Sequence, residues 1–522
     1  MSKKAINLSA DLPASIVVFL VALPLCLGVA VASDAAPIAG IIAGMVGGMV
    51  VGFFSGSHLS VSGPAAGLTA IVASAIGNLP SYEAFLLAVV LAGAMQLVLG
   101  FAKAGIIGDF IPNAVIKGML AAIGLILILK QFPHLLGYDI NPEGDEAFIQ
   151  KGGGNTFSAI AEALGKITPG ALVIGLVSVA ILLVVELKPL KKMAFFKYIP
   201  GPLIVVFAGI LLNAWFGLSG SSLELKAAHL VQLDVFNNPV EFFGSLPSPD
   251  FSFFLHKDIW VIAITIAIVA SIESLLSIEA VDKIDPEKGI TPANRELKAQ
   301  GLGNLVSGLL GGLPVTSVIV RSSANVSAGG KTKSATIFHG LWLLLAVLFI
   351  PGLLNKIPLS ALAAILILTG YKLAKISIFK EYYKKGWNQF IPFVITVAAI
   401  LLSDLLIGIC IGITAGVYFI LRSNFKSSIF TMSDEHRHLI RFRKEVSFLN
   451  KAYLKGILED IPDDTAVLID ATQSKFIDHD IVDLVNDFII NAETRNIRVY
   501  IKYEGTNNDK QFFNDISNRK IE

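Results

Sequence analysis

The stretch GSHLSVSGPAAGLTA, Gly56–Ala70, decides how this chain is read, because it interrupts apolar sequence on both sides with glycine, serine and a Gly63-Pro64 pair. Glycine and proline are poor residues for the interior of a continuous helix. A second interruption, Gly311-Gly312-Leu313-Pro314, precedes the apolar piece 315–328. That piece and the first one, 64–78, are each too short to cross a bilayer core, which takes about 20 helical residues.

Around the two pieces lie runs of spanning length. They fall at 11–33, 36–54, 82–102, 110–132, 169–187 and 199–216, and again at 257–279, 296–311, 334–352, 357–373, 388–404 and 405–423. The broken piece is third in each half. Pro24 precedes Pro64 by 40 residues, and Glu273 precedes Pro314 by 41. The expected fold is an α-helical polytopic membrane protein of 14 transmembrane segments, arranged as 7+7 inverted repeats over about 11–216 and 257–423. Breaks at matching places in two halves mark an inverted-repeat transporter with its site at the repeat interface.

Composition agrees. Of 522 residues, 54% are hydrophobic and 16% charged, with a mean hydropathy of +0.71, which a soluble globule could not bury. A net charge of +1 gives no reason to expect nucleic acid as a partner. Cys26 and Cys410 sit in apolar runs and are expected as small buried hydrophobes rather than a disulfide or metal ligands. The first run is longer than a signal-peptide core and is expected to be retained. Lysine and arginine gather in the even-numbered loops: KPLKKMAFFK after segment six, Lys283, Lys288, Arg295 and Lys298 after eight, Lys331 and Lys333 after ten. The odd-numbered loops are acidic, with Asp139, Glu143, Asp145 and Glu146 after segment five. By the positive-inside rule both termini face the cytoplasm of a multi-pass plasma (inner) membrane protein. From about Asn424 hydropathy falls and short β-like runs alternate with helical ones, which predicts a small soluble α/β domain over 426–522.

The broken segments carry the chemistry. A helix N-terminus bears about half a positive charge and several unpaired N–H donors, so two aimed at one place hold an anion without a lysine. Ser62, Gly63, Ala65, Ala66 and Thr69 surround a helix start expected at Pro64, and Thr316, Ser317 and Val318 follow Pro314. Arg321 follows in the tenth segment, where a guanidinium attracts an anion or pairs with a carboxylate. Glu273 lies inside IWVIAITIAIVASIESLLSIEA; an ionised carboxylate at mid-bilayer costs roughly 2.5–3.5 kcal/mol on insertion scales and needs a proton, a cation or a partner. Ser277, one turn later, adds a hydroxyl, so the pair forms a candidate Na+ or H+ coupling site. No other cofactor is expected. Asp404, at a helix end, is expected to cap it.

These motifs resemble the SulP/SLC26 inorganic anion transporters over nearly the whole chain, through LPLCLGVAVAS, SGSHLSVSGPAAGLTA, FIPNAVIKGMLAAIGLILILKQFPHLLG and GGLPVTSVIVRSSANVSAGGKTKSA. The resemblance implies a core domain moving against a gate domain, an anion held around Gly63 to Ala66 and Thr316 to Val318, and a cation at Glu273 and Ser277. It also implies a shortened STAS domain at the C-terminus and a homodimer formed partly through it. Leu25 and Val29 stand where many animal members place a glutamine and an aromatic beside the anion, which shifts weight to backbone donors. In the STAS-like part His479-Asp480 replace the usual small hydroxyl residue and glycine, leaving a fixed acidic surface for a cytoplasmic protein to dock on. The expected function is secondary active transport, not catalysis: sulfate, with bicarbonate close behind, coupled through Glu273. The alternatives are Na+-coupled bicarbonate uptake specifically, or an uncoupled chloride or anion channel.

Overall fold

The computed structural model describes residues 7–140, 148–149, 154–187, 199–233, 239–434 and 436–502; the KPLKKMAFFK loop and the acidic residues Glu143, Asp145 and Glu146 lie outside them. The chain divides into two compact units, Met1–Thr414 and Ala415–Glu522, ahead of the change in composition near Asn424.

All fourteen apolar segments are found in the first unit or run on from it. In the first half they are α1 (Leu8–Ala32), α2 (Pro37–Phe54, carrying a π-helical turn at Gly47–Val51), the broken third segment, α4 (Tyr82–Phe101) and α5 (Asn113–Leu135). After the short α6 (Thr156–Gly165) come α7 (Pro169–Val185) and α8 (Gly201–Leu218). The second half has α9 (Lys257–Ile284), α10 (Ala293–Leu309), the broken tenth segment, α12 (Lys333–Phe349), α13 (Leu359–Leu373), α15 (Trp387–Leu402) and α16 (Leu405–Ser427), with the amphipathic α14 (Ile376–Lys384) following α13. Seven helical stretches among the described residues, one of them α13 continued into α14, are long and apolar enough to cross a membrane, and there is an eighth if α6 and α7, bent by 113°, count as one. Asp404 caps α16 as expected, its carboxylate accepting from the Ile407 amide at 2.8 Å.

The breaks do not form as expected. Val61–Pro64 is a strand, β1, and Val315–Val318 is its antiparallel partner, β2, in the register Val61↔Val318, Ser62↔Ser317, Gly63↔Thr316, Pro64↔Val315. Helix resumes only afterwards, as a 3-10 turn at Ala66–Leu68 leading into α3 (Thr69–Asn78) and as α11 (Ile319–Ser327). Pro64 therefore closes a strand rather than opening a helix. Each break satisfies backbone groups through the other, a requirement wherever irregular chain lies at membrane depth.

Packing repeats between the halves. α1 lies against α12 as α9 lies against α4, and α5 packs with α13 and α15 as α13 packs with α5 and α7. Among the described residues two large apolar clusters result. One gathers Val72, Phe85, Val89, Ile266 and Val315 around the breaks. The other gathers Met119, Ile123, Leu362, Leu366 and Phe393 around α5 and α13. Where α4 crosses α10, Gly93 meets Gly301, and an added Cβ on either would lie 2.7 Å or less from the other helix's backbone. Cys26 is buried as expected, but Cys410 is exposed, on the outward face of α16.

The second unit continues from α16 into a four-stranded sheet, β3 (Ile429–Asp434), β4 (Arg437–Val446), β5 (Ala466–Ile477) and β6 (Arg498–Lys502), in that order. β3 and β4 form a hairpin; β4, β5 and β6 run parallel, joined through α17 (Lys451–Glu459) and α18 (His479–Thr494). Its core holds Ile440, Phe442, Leu454, Val467, Ile469 and Val485.

Candidate functional site

The strand pair β1–β2 gathers the residues singled out in the two breaks. Ser62, Gly63, Pro64, Thr316 and Ser317 are all buried, whereas Ala66 and Val318 are partly open. The hydroxyls do not act alike. Ser62 accepts from Gln300 Nε2 at 2.8 Å, Ser317 shares a 2.5 Å hydrogen bond with Ser60, and Thr69 turns back onto the Ala66 carbonyl at 2.8 Å. Thr316 alone of these keeps a buried hydroxyl with no hydrogen-bond partner. The backbone of Ala65 and Ala66 leads from the end of β1 into the 3-10 turn.

Arg321 lies in the first turn of α11 and is 1% exposed. Its guanidinium is pressed against the α-carbon of Gly63, so that a Cβ built there would fall 1.9 Å from Nη1. Cys26 and His339 lie beside it. Nε and Nη1 have no hydrogen-bond partner, and Arg321 makes no ion pair among the described residues. The guanidinium thus places an uncompensated positive charge directly under the Gly63–Thr316 pair.

Glu273 and Ser277, one turn apart on α9, meet at a cavity of about 10 Å³, room for one water-sized guest. Its remaining walls are Gly67, Met119, Val269, Leu276, Leu405 and Ile409. A Cβ on Gly67 would come within 3.2 Å of the Glu273 carboxylate, so glycine is what lets the third segment approach it. The carboxylate belongs to α9, the glycine to the turn after β1, and the apolar lid to α5 and α16. Leu25 and Val29 of α1 are buried in apolar surroundings and offer no polar contact.

A supporting polar stripe was missed by reading the sequence. Glu296, Gln300 and Asn304 recur every fourth residue along α10 and are fully buried. Glu296 accepts from Ser55 Oγ at 2.5 Å and from Gln300 Nε2 at 2.9 Å, and the same Gln300 amide reaches Ser62. Asn304 behaves as an extra strand residue: its Oδ1 accepts from the Val315 amide at 2.5 Å and its Nδ2 donates to the Val315 carbonyl at 2.9 Å. Val315 stands opposite Pro64, which has no N–H to give, so the asparagine supplies the missing donor. Ser322 of α11 accepts from the Val61 amide at 2.9 Å, completing the clamp on β1. The i, i+4, i+8 spacing was the available signal, because it puts all three polar groups on one helix face.

Comparison with known proteins gives this geometry a family. The chain is 26% identical over 457 residues to the Bacillus subtilis protein YvdB, which carries a sulfate-transporter name, covering 86% of this chain and 80% of that one. It is 26% identical over 441 residues to the bicarbonate transporter BicA of Picosynechococcus, covering 82% and 73%. Among solved structures SLC26A9 shares the fold with a TM-score of 0.68 at 16% identity, covering 97% of this chain and 87% of that one. The sulfate permease family matches residues 8–398. A broken-helix pair between two inverted repeats, in an integral membrane chain matched over three quarters of its length, places this protein in the sulfate permease family of anion transporters.

Proposed function

We propose that this protein is a secondary active transporter of a small inorganic anion, sulfate in the first place, coupled to a cation through Glu273. Arg321 carries the reading. Removing the partner of a buried charge costs about 3–5 kcal/mol, and an anion at the strand crossing offsets that cost. The unpartnered Thr316 hydroxyl beside it supplies a donor, and Ala65 and Ala66 supply backbone. One fixed charge with neutral donors selects by charge and size, and a divalent anion gains more from it than a monovalent one. Bicarbonate is the second reading, favoured by the similarity to BicA.

The cavity at Glu273 suggests the coupling step. A single carboxylate and a single side-chain hydroxyl, among mostly apolar walls, suit a proton better than Na+, which prefers several oxygens. We read the C-terminal unit as a shortened STAS domain on the cytoplasmic side, with both termini there, contributing to a homodimer and offering the acidic surface at Asp480 to a partner. The test is labelled sulfate uptake into proteoliposomes holding the purified chain, under an inward Na+ gradient, an inward proton gradient or none, each with and without excess bicarbonate. Accumulation only with the proton gradient supports the full reading. Accumulation with Na+ reassigns the coupling ion, and bicarbonate uptake without sulfate uptake reassigns the substrate. Currents that persist in Glu273→Gln would indicate an uncoupled channel.

A further inference from the structure

A second cavity, of about 660 Å³, opens between helices that carry the strand crossing and helices of the other apolar cluster. It is far larger than an inorganic anion requires. Among the described residues four lysines line it, Lys117 of α5, Lys283 of α9, Lys372 of α13 and Lys375 just before α14, against a single carboxylate, Glu186 at the end of α7. Lys372 pairs with Glu186 at 2.6 Å and Lys283 with Glu279 at 3.0 Å. Lys117 and Lys375 make no ion pair among the described residues, and Lys283, Lys288 and Lys385 add further positive charge around Lys117, with Glu381 opposing it. Ser323 and Ser327 of α11 add hydroxyls. Apart from Tyr371 the rest of the lining is apolar, including Leu183, Leu368 and Ile378.

Basic groups over an apolar cleft between membrane helices match an amphiphile with a phosphate head and hydrocarbon tails. We propose that this cleft is a binding site for an anionic phospholipid, its phosphate held by Lys117 and Lys375 and its acyl chains lying along α7 and α14. A free phosphate would meet the same lysines but would leave the apolar walls unused. Because the site lies between α5, α7 and α13 on one side and α9 and α11 on the other, an occupying lipid wedges the two groups of helices apart. That consequence rests on the transport reading; the binding itself does not.

The full chain, purified in neutral detergent, is titrated with phosphatidylglycerol or phosphatidylcholine and the retained lipid is counted by native mass spectrometry. One phosphatidylglycerol is expected to be held more tightly than any phosphatidylcholine. Lys117→Gln and Lys375→Gln should each weaken it about fivefold, and the double variant about thirtyfold. Lys455→Gln, on the second unit, should leave it unchanged. A thermal melt of each variant identifies one that has not folded, in which case the remaining single variant decides. Equal retention of the two lipids, or retention unchanged in the folded lysine variants, overturns the proposal. Displacement by millimolar inorganic phosphate also overturns it, because the ligand would then be a free anion. Loss of sulfate uptake with lipid retention intact would count against the transport reading alone.

Discussion

Adding one methyl group at Gly63 tests how the buried charge is held. The new Cβ of Gly63→Ala would lie 1.9 Å from Arg321 Nη1 and 2.9 Å from Cζ, so the guanidinium must withdraw by about 1.5 Å to reach ordinary contact. For an anion about 4 Å from the charge, at an effective dielectric of about 20, retreat to about 5.5 Å lowers the attraction from about 4 to about 3 kcal/mol. That difference weakens a monovalent anion by roughly sevenfold and a divalent one by more. Overpacking adds about 1–3 kcal/mol of destabilisation. Arg321→Lys removes Nη1 and keeps the charge, so Gly63→Ala in that background should cost little. The assay is a double-mutant cycle on sulfate affinity and on the unfolding midpoint of purified protein. A coupling below about 0.5 kcal/mol, the usual level for independent sites, would refute the placement of the guanidinium beneath Gly63.

The other predictions address the groups around that charge. Glu273→Gln should abolish gradient-driven accumulation of sulfate while leaving equilibrium binding intact, and Gly67→Ala, by filling the space 3.2 Å from the carboxylate, should weaken coupling-ion affinity about tenfold; accumulation at the wild-type level in both would remove Glu273 from the coupling step. Asn304→Ala leaves the buried Val315 amide and carbonyl short of partners, at about 1–3 kcal/mol for each group, and Asn304→Asp should be no better because it sets a carboxylate against the Val315 carbonyl and Gln96 Oε1. Thermal unfolding in micelles measures both, and unchanged midpoints would show that the asparagine does not hold β2. In the second unit the Thr472 hydroxyl and amide, with Arg441, hold the Asp470 carboxyl below its ordinary range, an effect that partial burial opposes. Its folded pKa is depressed, so its stabilisation is present above the unfolded value of about 3.9 and is lost as pH falls through the folded one. Asp470→Asn should therefore flatten the acid dependence of amide-exchange protection in β4 and β5, and an unaltered profile would contradict it.

Much of this architecture was legible because membrane spans announce themselves by length and composition alone. The two breaks were legible for the same reason: Gly63-Pro64 and Gly311 to Pro314 cannot continue a helix. What the breaks become was not. β1 exists only because β2 pairs with it, and a strand of four residues made of Val, Ser, Gly and Pro has no periodicity to reveal a partner in the other half of the chain. Glu273 and Ser277 were visible as polar residues in an apolar run, but Gly67, which brings the third segment against them, looked like any small residue. Arg321 was visible as a charge, while its contact with Gly63 depends on the direction its side chain takes through the core. Glu296, Gln300 and Asn304 were open to reading and needed only a helical projection of the ninth segment.

The strand crossing also sets a timetable for biosynthesis. Ser60 and Ser317, which meet beside it, are 257 residues apart in the chain. The first strand thus enters the membrane long before its partner has been made, with backbone groups that lipid cannot satisfy. Until the second repeat is inserted, those groups require shelter from water, from neighbouring helices or from the insertion machinery. A ribosome stalled ahead of Val315 would leave a chain with most of its helices and no strand crossing at all.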